Sequence, residues 1–132
     1  LKIEKFLIGN WNERRQYNTI QILCKAFALR IIKLYTFLKE EKQEYVLSKQ
    51  VLRSGTSIGA NARESINAQS TMDFISKLGI ALKEANETQY WLELLYESEF
   101  INEKEYNSIY ADCSRIVATL VKIIKTKKET LN

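Results

Sequence analysis

The sequence predicts an all-α protein, an antiparallel up-down-up-down four-helix bundle. Three observations carry that prediction. The 132 residues include no proline and only four glycines, whereas a sheet protein needs turn residues every few positions. Apolar residues recur at three- and four-residue steps through four long stretches, the spacing of a helix with one buried face. The breaks between those stretches span only a few residues, which makes consecutive helices antiparallel neighbours. With 45% apolar and 27% charged residues, the composition is that of a soluble globular protein rather than a disordered chain.

Residues 1–17 are expected to form an N-terminal arm ahead of a bundle domain at 18–132. Ile3, Phe6 and Leu7 suffice for one short helical turn before Gly9-Asn10. Helix one is expected from Thr19 to Glu40, because Ile20, Leu23, Phe27, Ile31, Leu34 and Leu38 line one stripe. The polar loop EEKQE follows at 40–44. Helix two is expected from Tyr45 to Asn67, with Leu47, Val51, Ile58 and Ala62 on one face. Its middle is odd: Ser54, Gly55, Thr56, Ser57 and Gly59 are poor helix formers and need tertiary support. Helix three opens on Ser70, with Asp73 three positions on, a capping box with Asp in place of the usual Glu. Phe74, Leu78, Leu82, Ala85, Gln89 and Leu92 share its face, and it should end near Ser98. Helix four should start near Asn102, with Glu105 completing a second cap-like pair. Ile109, Cys113, Ile116, Leu120 and Ile123 or Ile124 form its stripe.

Several chemistries are excluded. Histidine is absent, which removes the commonest general base and transition-metal ligand. No Ser-His or Cys-His arrangement can form, nor the Glu-x-x-His pairs of a di-iron bundle. An all-carboxylate magnesium site built from Glu64, Glu84 and Glu87 stays open, against the commoner use of such acids in ion pairs with Arg53 and Arg63. The expectation is a non-enzyme without cofactor or metal. Cys24 and Cys113 lack metal-ligand spacing and, counted along their expected helices, differ in height by roughly 13 Å, beyond disulfide reach. No apolar run approaches the roughly 18 residues of a membrane span and no signal peptide is recognisable. A cytoplasmic protein with no membrane role is expected.

Helix two carries two glycines one turn apart. Without side chains, Gly55 and Gly59 let a neighbouring helix come close. The alternative is a hinge or phosphate-cradling loop, but a P-loop needs a Gly-Lys-Ser/Thr terminus after a strand. Gln89 sits in the apolar stripe of helix three, and a buried amide needs partners. Ser54 or Asn61 on helix two are the expected ones.

Two stretches, RSGTSIGANARES at 53–65 and DFISKLGIALKEANETQYWLELL at 73–95, resemble the family of four helix bundle proteins, also called 23S rRNA intervening-sequence proteins. The positions that carry the resemblance are Ser57, Ile58, Gly59, Ala60, Asn61 and Glu64, then Ala81, Leu82, Glu84, Glu87 and Thr88. In order and register it spans about residues 24–125. It implies a four-helix bundle assembled as a ring-shaped homopentamer. A related group that accompanies retroelement reverse transcriptases resembles a basic ring that binds nucleic acid.

Two candidate surfaces follow. On helix two Arg53, Ser57 and Glu64 point away from the apolar stripe, and on helix three Glu84, Glu87, Trp91 and Leu94 do the same. A tryptophan and a leucine on a nominally wet face suit an interface, and with the ring assembly that the resemblance implies, these seven residues form the expected oligomer contact. Scattered exposed apolar residues are the plain alternative. In the antiparallel hairpin centred near Ser70, Arg53 falls beside Glu87, so Arg53 is expected to pair with Glu87 or Glu84. Charge is also uneven along the chain. From Glu84 to Asp112 eight acids face one lysine, and from Arg115 to Lys128 there are five bases and no acid. In the bundle Arg14, Arg15, Lys25, Arg63, Lys122, Lys125, Lys127 and Lys128 gather toward one end, opposite the acidic loops. Such an end attracts phosphates, although lysines also suit a helix C-terminus for dipole and solubility reasons. The reading is a non-enzymatic homo-oligomer that contacts RNA or other nucleic acid through its basic end. The alternative is an adaptor that docks a protein partner.

Overall fold

The structure, a computed structural model, describes residues 11–131. The turn expected at Ile3, Phe6 and Leu7 lies outside the described residues. Four helices appear in the expected order: α1 (Trp11–Glu40), α2 (Leu47–Glu64), α3 (Thr71–Glu97) and α4 (Glu103–Glu129), with a 3-10 turn at Ser65–Asn67 after α2. α1 packs on α2, α2 on α3, α3 on α4, and α4 closes back onto α1, the up-down-up-down square. α1 and α3 therefore occupy opposite corners.

α1 starts earlier than expected. Residues 11–17 continue the helix, and Tyr17 extends its apolar stripe by one turn. The ring of Tyr17 is buried 5.6 Å from that of Phe74, and its hydroxyl lies 2.7 Å from Ser65 Oγ and donates to the Ala62 carbonyl. The sequence reading missed this because a tyrosine flanked by polar residues looks like an arm.

The helix ends follow local chemistry. α2 begins at Leu47 because the Glu44 carboxylate accepts from the N–H groups of Val46, Leu47 and Ser48, at 3.3, 3.0 and 2.7 Å. These are the donors a helix start leaves orphaned. At α3, Ser70 Oγ accepts from Asp73 N–H at 3.0 Å, and the Asp73 carboxylate accepts from Gln69 N–H. At α4, Asn102 and Glu105 form the complete reciprocal box. α3 ends with Glu99 in the left-handed region (φ 67°), Phe100 N–H bonding the Leu95 carbonyl and Glu99 N–H bonding that of Tyr96. That is a Schellman ending, with Glu where Gly is usual.

The core runs the length of the bundle through Ile20, Phe27, Ile31, Leu38, Val51, Ile58, Phe74, Leu78, Leu92, Ile116 and Leu120, all fully buried. Each such side chain contributes about 1.5–3 kcal/mol relative to exposure. Both α2 glycines serve packing. A Cβ on Gly55 would lie 2.8 Å from Ile31 Cγ1, and one on Gly59 would lie 3.3 Å from Cys24 Cβ and 3.6 Å from its carbonyl oxygen. Ser54 is buried and its Oγ accepts from Thr88 Oγ1 at 2.8 Å. The interhelical polar partner of Ser54 is thus Thr88, not Gln89. Gln89 is half-buried, turned toward α4, and donates to Ser114 Oγ. Thr88 and Gln89 are adjacent, 100° apart on the helix, so which one enters the α2 seam depends on helix rotation. Among the described residues no helix is long and apolar enough to cross a membrane.

Candidate assembly and nucleic-acid surfaces

Arg53 sits on the outer edge of the α2–α3 seam. One nitrogen reaches Glu87 Oε2 at 2.7 Å and another Glu84 Oε2 at 3.3 Å. The expected pairing is present, within one chain. The two carboxyls respond in opposite directions. Burial, followed by its hydrogen bond with Glu87, raises Glu84, whereas the short bond from Arg53 holds Glu87 below the usual carboxylate range. The difference follows from geometry, because Glu84 is the more buried acid and has the longer bond to Arg53.

Of the other expected interface residues, Ser57 lies one turn along α2 and donates to the Arg53 carbonyl. Trp91 and Leu94 are half-buried. Trp91 packs inward against the core, and its indole N–H is buried with no acceptor among the described residues. Glu64 does not join the cluster, since it lies toward the other end of α2 and faces Lys77 at 3.6 Å. The exposed aromatic of this face is Tyr90, whose ring contacts that of Trp91. The sequence reading passed over Tyr90 because the expected stripe leaves it and Trp91 about equally far out, whereas the buried positions turn toward Ala81, Thr88 and Leu95 and leave Tyr90 the further of the two.

The charged ends are as the alternating topology requires. Lys42, from the α1–α2 loop, and Glu99, Glu103 and Glu105, from the α3–α4 connection, line one cleft. At the opposite end Lys127 lies over the Phe74 ring, 6.0 Å from its centroid. Lys127 is 5% exposed, which removes it from the residues able to meet phosphates. Its place on the buried stripe, seven residues after Leu120, is the signal that its charge obscured. Arg15, Lys25, Arg63, Lys122, Lys125 and Lys128 are exposed and Arg14 is half-buried. Lys25 and Arg63 come together on the two rims of a shallow α1–α2 groove of about 280 Å³ floored by Gly59. Lys122, Lys125 and Lys128 lie on α4, away from that groove.

Both thiols are free and buried, and burial pushes each up to about 12. They are closer in height than expected. Arg30 pairs with Asp112 at 2.6 Å, which sets Cys113 about one and a half turns from Cys24, roughly 8 Å. The larger expected separation came from starting α1 at Thr19 instead of Trp11. Among the described residues no three Cys, Asp or Glu side chains gather as metal ligands.

These surfaces sit on a chain with clear relatives. The solved structures include one of a protein with unknown function from the S23 ribosomal protein family of Bacteroides thetaiotaomicron. It is 55% identical to this chain, covers 83% of it and 98% of its own length, and superimposes with a TM-score of 0.83. No curated protein matches the chain. The sequence model of the family described as 23S rRNA-intervening sequence protein matches residues 18–122, and the chain belongs to that family.

Proposed function

We propose that this protein acts by binding rather than catalysis, as a homo-oligomer, in the ring form that its family resemblance implies, that holds nucleic acid, RNA first, by its phosphates. The observation that carries the reading is charge placement. Lys122, Lys125 and Lys128 are exposed toward one end of α4, and none forms an ion pair with another described residue. The acids of the two loops lie at the far end. A phosphate backbone binds such an end through released counterions, so affinity falls as salt rises. Replacing these three lysines by glutamine tests it, with Lys127 left in place because it is buried. Binding of labelled RNA and DNA, followed by fluorescence anisotropy, should weaken by a similar factor for every sequence. Its salt slope should drop by about 0.7–0.9 per lost contact. A wild-type chain that binds neither nucleic acid at low salt refutes the reading and leaves the protein-docking adaptor.

A further inference from the structure

α1 and α3 each carry an outward face that the bundle leaves uncovered, and the two faces differ in charge. On α1, Ile22 is 70% exposed and Leu29 54%, with Ile32 exposed beyond them. Between Arg14 and Lys39 this helix has six bases and no acid. On α3, Ile80 and Tyr90 are exposed beside half-buried Trp91 and Leu94. From Ile80 to Glu97 that helix has four acids and one base, Lys83. The helices occupy opposite corners and run parallel, so one molecule presents a basic apolar face on one side and an acidic aromatic face on the other.

The two faces also match in height. Cys24 lies against Gly59 and Ile31 against Gly55, while Ser54 bonds Thr88 and Glu64 faces Lys77. Traced from α1 through α2 to α3, these contacts set Ile22 level with Ile80, and bring Ile32 and Lys39 within about half a turn of the heights of Tyr90 and Glu97. Glu87 comes level with Leu29, and Lys25 and Lys33 stand one turn to either side of it. Lys83 falls level with Lys25, its charge offset by Glu84 and Glu87.

We infer that the α3 face of one copy packs on the α1 face of the next, with parallel axes and no axial shift. The occupant of each face is thus a second copy of this chain. Charge complementarity and the height match select that occupant: Ile80 meets Ile22, Tyr90 meets Ile32, and Glu87 enters between Lys25 and Lys33. Lys25 then serves assembly rather than phosphate contact. Such an interface is head-to-tail. Each copy uses two different faces, and the series closes into a ring when its rotation closes. The inference rests on the homo-oligomer reading above and adds which faces meet.

Leu29→Asp alters the α1 face and Tyr90→Asp the α3 face. Both add the same charge, so the altered faces cannot restore one another. Mass is read by light scattering and folding by circular dichroism. Wild type should be an assembly. Each variant alone should be a folded monomer, and an equimolar mixture should form a dimer through the one intact pair of faces. A monomeric wild type overturns the oligomer reading and this inference with it. An assembled wild type whose mass survives Leu29→Asp overturns the face pairing alone. Loss of RNA binding with unchanged mass in that variant also overturns it and assigns the α1 face to nucleic acid. Ile22→Asp and Ile80→Asp repeat the test if either first variant fails to fold.

Discussion

Gly55 and Gly79 are both helix-interior glycines, yet alanine at the two positions should act in opposite directions. In an open helical position the replacement gains about 1 kcal/mol from propensity. Gly79 is such a position, since an added Cβ would meet nothing within 4 Å. At Gly55 the added carbon would stand 2.8 Å from Ile31 Cγ1 and 2.9 Å from Cγ2. Carbon contacts settle at about 3.5–4.0 Å, so Ile31 must leave its position or α1 and α2 must part by most of an ångström. Ile31 is branched and fully buried, which leaves it little freedom. Overpacking of this kind costs about 1–3 kcal/mol, so after the propensity gain Gly55→Ala should destabilise by about 0–2 kcal/mol. Gly59→Ala, at 3.3 Å from Cys24 Cβ, should fall between the two. Urea unfolding followed by circular dichroism, at fixed protein concentration, measures all three through midpoints at constant slope. If Gly55→Ala is stabilised as much as Gly79→Ala, the close approach of α1 and α2 at this level is wrong.

Two further outcomes concern the interior. Thr88→Val keeps the shape but strips Ser54 Oγ of its partner, and an unsatisfied buried hydroxyl costs about 1–3 kcal/mol. Adding Ser54→Ala should recover part of the loss, and strictly additive single effects in a double-mutant cycle would show that the two hydroxyls do not interact. The thiols give a pH dependence. Each is raised from 9.0 to about 12 in the fold, chiefly by burial, so their contribution is intact below about pH 9 and is lost as pH climbs toward 12. Near pH 10.5 the loss should be about 2 kcal/mol per thiol. Urea midpoints measured at neutral and alkaline pH should fall less in a Cys24→Ala, Cys113→Ala protein than in wild type, and equal falls would contradict the assignment.

Much of this fold was legible because its signals are local. The capping pairs Ser70–Asp73 and Asn102–Glu105, the apolar stripes and the Arg53–Glu87 register each need only helical spacing and one antiparallel hairpin. What escaped depends on tertiary context. The helical propensity of residues 11–17 is modest, and they become helix because Tyr17 finds Phe74, Ala62 and Ser65 across the bundle. Lys127 reads as a solvated cation because charge outweighs position in any sequence scan, yet its stem can lie along apolar surface. Thr88 was passed over for Gln89 because a rotation of 100° separates them, and the sequence sets helix rotation no more closely than that. On the outer faces the limit is different. Burial periodicity identifies what points inward, so Ile22, Leu29 and Tyr90 register only as residues left off a stripe. Their common heights emerge only once interhelical contacts are known.

What Arg53 does depends on whether a second copy covers it. In the isolated chain its side chain is 50% exposed and that of Glu87 35%, and an exposed pair is worth about 0–1 kcal/mol. Acid adds little. The lowered Glu87 contributes stability above the usual carboxylate range that fades as pH falls through its folded value, while the raised Glu84 works in the opposite sense. A neighbouring copy laid over α3 changes the balance. Glu87 and Arg53 lose solvent together, and removing one of two desolvated partners typically costs about 3–5 kcal/mol. Arg53→Ala should therefore shift the urea midpoint of dilute, dissociated protein only slightly while raising the dissociation constant of the assembly by about two to four decades. Equilibrium sedimentation across protein concentration separates the two effects. A variant that assembles like wild type but unfolds far more easily would make Arg53 a strut of the single bundle, with no part in holding copies together.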